Sequence, residues 1–123
     1  MSRRRADLIV VALAIGTAAI IALIPRPSAR VSFERDVQPI FTRSCAGCHP
    51  ASFPYLDLRE GHAWDQLVRI SSATNPAFER VLPGRPDLSY LLTHPPDPSN
   101  ATLLSKSDRR IIAAWIREGA PRN

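Results

Sequence analysis

The sequence predicts a small all-α domain behind an apolar N-terminal segment. Near each end of the domain, apolar residues recur with helical spacing behind a serine that can cap a helix. No stretch alternates apolar and polar residues in the manner of a half-buried strand. Most of the 12 prolines lie between residues 50 and 98, so the middle of the domain is expected to be ordered loop, with short helices over 64–70 and 88–92.

The first helix is predicted over residues 33–41, because its apolar residues recur at i, i+4, i+7 and i+8 and form one stripe. The stripe consists of Phe33, Val37, Ile40 and Phe41. Ser32 is the expected N-cap. Pro39 lies inside the pattern and is expected either to kink the helix or to lie where its missing N–H is unimportant.

The last helix is predicted to begin at Ser105, which forms the pattern of a capping box with Asp108. The apolar face of this helix consists of Ile111, Ile112, Trp115 and Ile116. Gly119 stands where a left-handed residue usually ends a helix, and Pro121 prevents continuation.

The positive charge of the chain does not indicate nucleic-acid binding. The net charge is +5, but residues 1–30 carry five arginines against one aspartate, while residues 31–123 carry 11 basic and 10 acidic side chains. The domain itself therefore offers no basic surface for nucleic acid, and the excess charge indicates membrane topology.

Leu8–Ile24 is an apolar run without a charged residue. As a helix it would span roughly 25 Å, the short end of what crosses the hydrocarbon core of a bilayer. Arg3–Arg5 precede it, so the positive-inside rule predicts a cytoplasmic N-terminus and an exported domain. We therefore assign residues 1–25 to a single-pass anchor in a bacterial inner membrane, 26–32 to a linker, and 33–121 to a periplasmic domain.

The alternative for the N-terminal segment is a cleaved signal peptide, which also places an apolar run behind positive charges. Such a peptide usually has a shorter apolar run, followed by small residues at the cleavage site. Residues 25–29 read Pro-Arg-Pro-Ser-Ala, with proline where small residues are needed. An uncleaved anchor is the preferred interpretation.

The two cysteines of the chain belong to Cys45-Ala46-Gly47-Cys48-His49, which has the C-x-x-C-H pattern of haem attachment. Two thiols at this spacing can each form a thioether with one vinyl group of the porphyrin, and the histidine that follows is directed at the iron. The motif predicts one covalent haem c, held by Cys45 and Cys48, with His49 as an axial iron ligand.

Other interpretations of the cysteine pair are a disulfide, a thioredoxin-like dithiol and a metal site. A thioredoxin-like pair requires a strand before its first cysteine, and no strand is predicted there. A structural zinc site requires two more ligands at suitable spacing.

A helix before C-x-x-C-H, a loop-rich middle and a final amphipathic helix resemble the class I mono-haem cytochromes c, and in particular the planctomycete-type cytochrome c domains. That family typically has V-x-F and then I/V-x-P-I before C-x-x-C-H, a stretch that corresponds here to Val31–His49. Further matches lie in residues 56–58, 81–87, 89–91, 104–105 and 116–121. The resemblance implies that the first and last helices pack together and close the haem crevice.

The chain departs from this family at the second axial ligand, which is usually a methionine in Met-Pro-Pro before the last helix. His94-Pro95-Pro96 stands there instead, and the one methionine is Met1, so His94 is the expected sixth iron ligand. There are three alternatives for this ligand: His62, an open iron position, or a group from a partner. His62 is itself expected at a solvated helix start. Trp64 and Trp115 are expected to pack in the core, against the haem or the helix pair.

These features predict an electron carrier and not an enzyme. It would transfer electrons from a redox-protein donor to a redox-protein acceptor outside the cytoplasm. The domain leaves little sequence for a substrate pocket, so no small-molecule substrate is expected. A membrane tether would keep the domain at high local concentration beside its partners, and a fixed place in a larger membrane complex is compatible with this role. A haem enzyme or gas sensor is the alternative, and requires an open or displaceable sixth position on the iron.

Overall fold

Two ranges of the chain, residues 29–93 and 104–123, are described by the structure, a computed structural model. They form a small helical domain with little strand. Its helical elements are a π-helical turn Phe33–Val37 and the α-helices α1 Gln38–Ser44, α2 Ala63–Leu67, α3 Tyr90–Thr93 and α4 Lys106–Arg117. Within these ranges, isolated β-bridges join Val68 to Val81 and Ser71 to Glu79.

The predicted membrane segment, residues 8–24, and the expected iron ligand His94 lie outside the described residues. Within 29–93 and 104–123, no helix combines the length and the apolar character needed to cross a bilayer. The domain predicted over residues 33–121 is described except for 94–103.

The first predicted helix is present but is divided near Pro39. Its π-helical turn closes where the Gln38 N–H donates to the Phe33 carbonyl, and α1 then continues to Ser44, three residues beyond the predicted end. Pro39 lies in the first turn of α1, where a missing N–H costs little. In an unbroken α-helix its ring would clash with the carbonyl four residues earlier, and the wider π-turn avoids this clash.

The predicted caps of both terminal helices are confirmed. Ser32 Oγ accepts a hydrogen bond from the Arg35 N–H at 3.3 Å. Ser105 Oγ accepts from the Asp108 N–H at 3.0 Å, and the Asp108 carboxylate accepts from the Ser105 N–H at 3.3 Å, which completes the capping box. Gly119 follows α4 with a φ of 98°, the left-handed conformation expected there.

The packing of the two terminal helices against each other is also confirmed. The rings of Phe33 and Trp115 lie 5.1 Å apart between centroids, and both side chains are buried. One core contains Phe33, Val37, Ile40, Phe41, Leu58, Ala63, Leu67, Val81, Ile112, Trp115, Ile116 and Ala120. Ile111, predicted on the same face of α4, is partly buried at the edge of this core.

The segment after α4 fastens the ends of the domain together. Both indole N–H groups donate to it, Trp115 to the Pro121 carbonyl at 2.9 Å and Trp64 to the Ala120 carbonyl at 3.0 Å. Asn123 accepts hydrogen bonds from the N–H groups that begin the first helix. These contacts satisfy backbone donors that a helix start leaves without intrahelical partners.

The two short helices in the middle of the domain are confirmed, but their predicted bounds were wrong by one to three residues. α2 ends at Leu67 because Val68 turns to extended backbone and pairs with Val81. α3 begins at Tyr90 because the buried Ser89 hydroxyl closes the preceding loop through hydrogen bonds to its backbone. Tertiary contacts therefore set both boundaries.

Candidate functional site

The C-x-x-C-H motif follows α1 directly as a tight turn. The N–H groups of Cys45 and Ala46 both donate to the Phe41 carbonyl at 2.8 Å, which ends the helix. The N–H groups of Cys48 and His49 then donate to the Cys45 carbonyl at 3.1 and 2.9 Å. Backbone hydrogen bonds therefore hold both cysteines and the histidine in one turn at the C-terminal end of α1.

A cavity of about 470 Å³ lies beside this turn. Its volume falls in the range of roughly 300–1,000 Å³ in which proteins hold small molecules and cofactors. Cys45, Cys48 and His49 all line it, so the structure brings together the three residues predicted to hold one group. The remaining wall is mostly apolar and consists of Ser44, Phe53, Tyr55, Leu56, Leu58, Leu67, Ser72, Ala73, Thr74, Arg80, Tyr90, Leu91 and Leu104.

The His49 imidazole is half-buried in the wall of this cavity. Its ring centroid lies 5.1 Å from that of Phe53 and 6.2 Å from that of Tyr55. Burial lowers the pKa of His49, and this effect outweighs the backbone groups of Leu56 and Phe53, which favour the charged ring. The lowered pKa keeps the imidazole neutral, which is the form that binds metal.

The Nδ1 atom of His49 is buried, and no group in the described part of the chain forms a hydrogen bond with it. An unpaired buried polar atom costs free energy, so Nδ1 adds no hydrogen bond that would stabilise the fold. A ligating histidine typically directs one ring nitrogen at the metal and donates from the other to a nearby acceptor. The position of His49 therefore favours a binding role.

Both cysteines are free thiols. Burial, and to a smaller extent the neighbouring Cys48, raises the pKa of the Cys45 thiol to about 11, so this thiol stays protonated near neutral pH. A redox-active dithiol instead depends on a thiol with a lowered pKa. In residues 29–44 no strand precedes Cys45, so the setting expected for a thioredoxin-like pair is also missing from this stretch.

The other residues considered from the sequence lie elsewhere. His62 is exposed at the start of α2, as expected for a solvated helix start, and does not line the cavity. Trp64 and Trp115 do not line it either, and they pack against the helices and the C-terminal tail. His94 is among the residues that the structure does not describe.

Sequence reasoning missed one part of the cavity wall, formed by Ser72, Thr74, Arg80 and Tyr90. The segment 68–81 folds back on itself through the two bridges, and α3 then packs against it. The N–H groups of Tyr90 and Leu91 donate to carbonyls of this segment at 3.0 Å. No local pattern identifies such a wall, because it forms only when these separate segments meet.

The loop that returns from the motif is held by Asp57. The Asp57 carboxylate accepts from the Arg59 N–H at 3.0 Å and pairs with the Arg59 guanidinium at 2.6 Å, which lowers the pKa of Asp57 to about 2. The Leu58 N–H next to it donates to the His49 carbonyl at 3.3 Å. The ion pair thus stabilises the loop whose backbone binds His49.

The described residues fit a covalently bound haem. Two thiols and a neutral imidazole line one mostly apolar cavity, and these are the groups that c-type attachment uses. Within 29–93 and 104–123, no three or more histidine, cysteine, aspartate or glutamate side chains are grouped to hold a bare metal ion.

No family model, curated protein or solved structure matches this chain. The function proposed below therefore depends on the residues of the site and on their geometry.

Proposed function

We propose that this protein is a c-type cytochrome that carries single electrons between redox partners outside the cytoplasm. The observation that carries the proposal is the placement of Cys45, Cys48 and His49 on one cavity of about 470 Å³. A bound haem would supply a one-electron iron couple at this position.

Each residue of the motif has a separate task in this proposal. Cys45 and Cys48 hold the haem through thioethers, and His49 binds the iron as a neutral imidazole. The apolar side chains of the wall, such as Leu56 and Leu58, exclude water from the site. Solvent exclusion is one of the means by which a protein sets the reduction potential of a haem.

The proposal extends to the fold and the location. A class I cytochrome c fold is supported by the packing of the first helix against α4 and by the loop-rich middle of the domain. A membrane anchor over residues 1–25 is supported by Arg3–Arg5 and the uncharged run that follows them. The linker 26–32 would then keep the domain beside membrane-bound donors and acceptors.

Covalent attachment and the anchor can be tested in one measurement on protein extracted from membranes. After acid–acetone treatment, the intact mass should equal the chain from Met1 plus one haem. Pigment that extracts freely would contradict the covalent haem. A chain that begins near Ala29 or Arg30 would instead show that the N-terminal segment is a cleaved signal peptide.

We propose His94 as the second axial ligand of the iron. The only methionine is Met1, and His62 is exposed away from the cavity. Imidazole is a stronger donor than a thioether and stabilises ferric iron, so the reduction potential should lie below that of a methionine-ligated relative. The ferric spectrum should be low-spin and lack the near-infrared sulfur–iron band, and His94→Ala should become high-spin and bind carbon monoxide readily.

The matched control is His62→Ala, which should leave the ferric spectrum unchanged. A His94→Ala protein that stays low-spin would assign the ligand to another group. A wild-type protein that is already high-spin would indicate an open iron position, as a haem enzyme or gas sensor requires.

A further inference from the structure

Arg80 is the only lysine, arginine, aspartate or glutamate among the described residues that line the cavity. Its side chain is half-buried, and burial lowers its pKa from the ordinary value. Its charge also lies close enough to His49 to oppose protonation of that ring. Arg80 therefore forms part of the wall of the space assigned above to the haem.

The hydrogen bonds of Arg80 use only some of its donors. Nη1 donates to the Gln66 carbonyl at 2.8 Å, and Nη2 donates to the Tyr55 carbonyl at 3.0 Å. A guanidinium has five N–H donors, and two neutral carbonyls do not balance its charge. Within the described ranges no carboxylate forms an ion pair with Arg80, not even that of its chain neighbour Glu79.

Of the other described arginines, five have a carboxylate partner. Each has a carboxylate within 2.6–3.0 Å, and each is more than half exposed. They are Arg35, Arg43, Arg59, Arg85 and Arg122. A half-buried cation such as Arg80 gains more from a counter-ion than an exposed one does, because water stabilises its charge less.

Haem itself carries two carboxylates, on pyrroles other than those that bear the vinyl groups. When Cys45 and Cys48 hold the vinyl end, the carboxylates emerge from the other end of the macrocycle. The segment that contributes Arg80 also brings the hydroxyls of Ser72 and Thr74, 3.2 Å apart, to the cavity. This part of the wall is therefore suited to an anion.

We propose, on the basis of the function proposed above, that Arg80 binds a carboxylate of the haem through its remaining N–H donors. Charge-assisted bonds between guanidinium and carboxylate are stronger than neutral hydrogen bonds, and the planar fork of arginine matches the carboxylate geometry. Arg80 thereby fixes the haem at the end opposite to the thioethers.

The pairing has a consequence for the reduction potential. Ferric haem carries one positive charge more than ferrous haem, so a cation held beside it favours the ferrous form. Removal of the Arg80 charge also leaves a propionate without its counter-ion, which stabilises ferric iron further. The reduction potential should therefore fall when the charge is removed.

The test is redox titration of full-length holoprotein carrying Arg80→Gln, Arg80→Lys or Arg85→Gln. Arg80→Gln should lower the potential because it removes the charge and leaves a polar side chain of similar width. Arg80→Lys keeps the charge, so its reduction potential should fall less than that of Arg80→Gln. Arg85→Gln is the matched control, because Arg85 is exposed, pairs with Asp87 and lies away from the cavity, and its potential should equal that of the wild type.

An Arg80→Gln potential equal to that of the wild type would overturn the inference, and so would an Arg80→Lys potential that falls as far as that of Arg80→Gln. If Arg80→Gln yields no holoprotein, the propionate bending band in the resonance Raman spectrum of Arg80→Lys decides. It should shift from its wild-type position, and an unshifted band overturns the inference. A wild-type chain without attached haem would instead overturn the proposed function, and this inference with it.

Discussion

Cys48→Ser is expected to lose almost all covalently bound haem. A serine hydroxyl does not form a thioether with a vinyl group, although it is close to the thiol in size. Cys48 is exposed, so the substitution removes no core contact, and a loss of pigment would report attachment chemistry and not packing. Haem-specific staining of the denatured chain, normalised to the amount of protein, measures the effect.

Ser44→Ala is the matched control for this substitution. Ser44 lines the same cavity and adjoins Cys45, but it has no role in attachment, so this variant should keep the haem content of the wild type. If Cys48→Ser kept the same haem content as Ser44→Ala, covalent attachment through this thiol would be wrong. The haem would then be attached through Cys45 alone.

The ends of the domain could be predicted from the sequence because local interactions determine them. The Ser32 and Ser105 caps and the left-handed Gly119 each depend on a few neighbouring residues. The meeting of Phe33 with Trp115 was implied by the apolar stripes on the two helices and by the family resemblance. The caps, the left-handed glycine and the apolar stripes can each be recognised from residues that are close together in the sequence.

The division of the first helix was foreseen only as a choice between two outcomes. Pro39 was expected either to kink the helix or to lie where its missing N–H is unimportant, and the π-helical turn before it was not expected. The buried contacts of Phe33 and Val37 accompany the π-helical turn that the structure adopts. Packing therefore selects among conformations that the proline permits.

The candidate site also has one part that the sequence predicts and one part that it does not. Cys45, Cys48 and His49 are adjacent in the chain, so their spacing alone predicts a shared role. Arg80 reaches the same cavity only because the segment 68–81 folds back and pairs with itself. Such long-range contacts leave no periodic pattern in the sequence.

The contacts of Trp115 join the first helix, α4 and the C-terminal tail. Its ring packs on Phe33 at 5.1 Å, its side chain is fully buried, and its indole N–H donates to the Pro121 carbonyl at 2.9 Å. The same tail receives the Trp64 N–H and caps the first helix through Asn123. A change at Trp115 therefore affects both the core and the tail.

Trp115→Ala is expected to lower the free energy of unfolding of the holoprotein by about 3–5 kcal/mol, the usual cost of truncating a buried tryptophan. The loss of ring contacts and the unpaired Pro121 carbonyl both contribute. For a domain of this size, each kcal/mol corresponds to roughly 4–8 °C in Tm, so thermal unfolding followed by circular dichroism resolves the effect. Leu88→Ala is the control, because Leu88 is 41% exposed and its truncation should change stability by less than about 0.5 kcal/mol. Equal stabilities of the two variants would show that Trp115 does not hold the helices together, and that the attached haem supplies the stability that we assign to this contact.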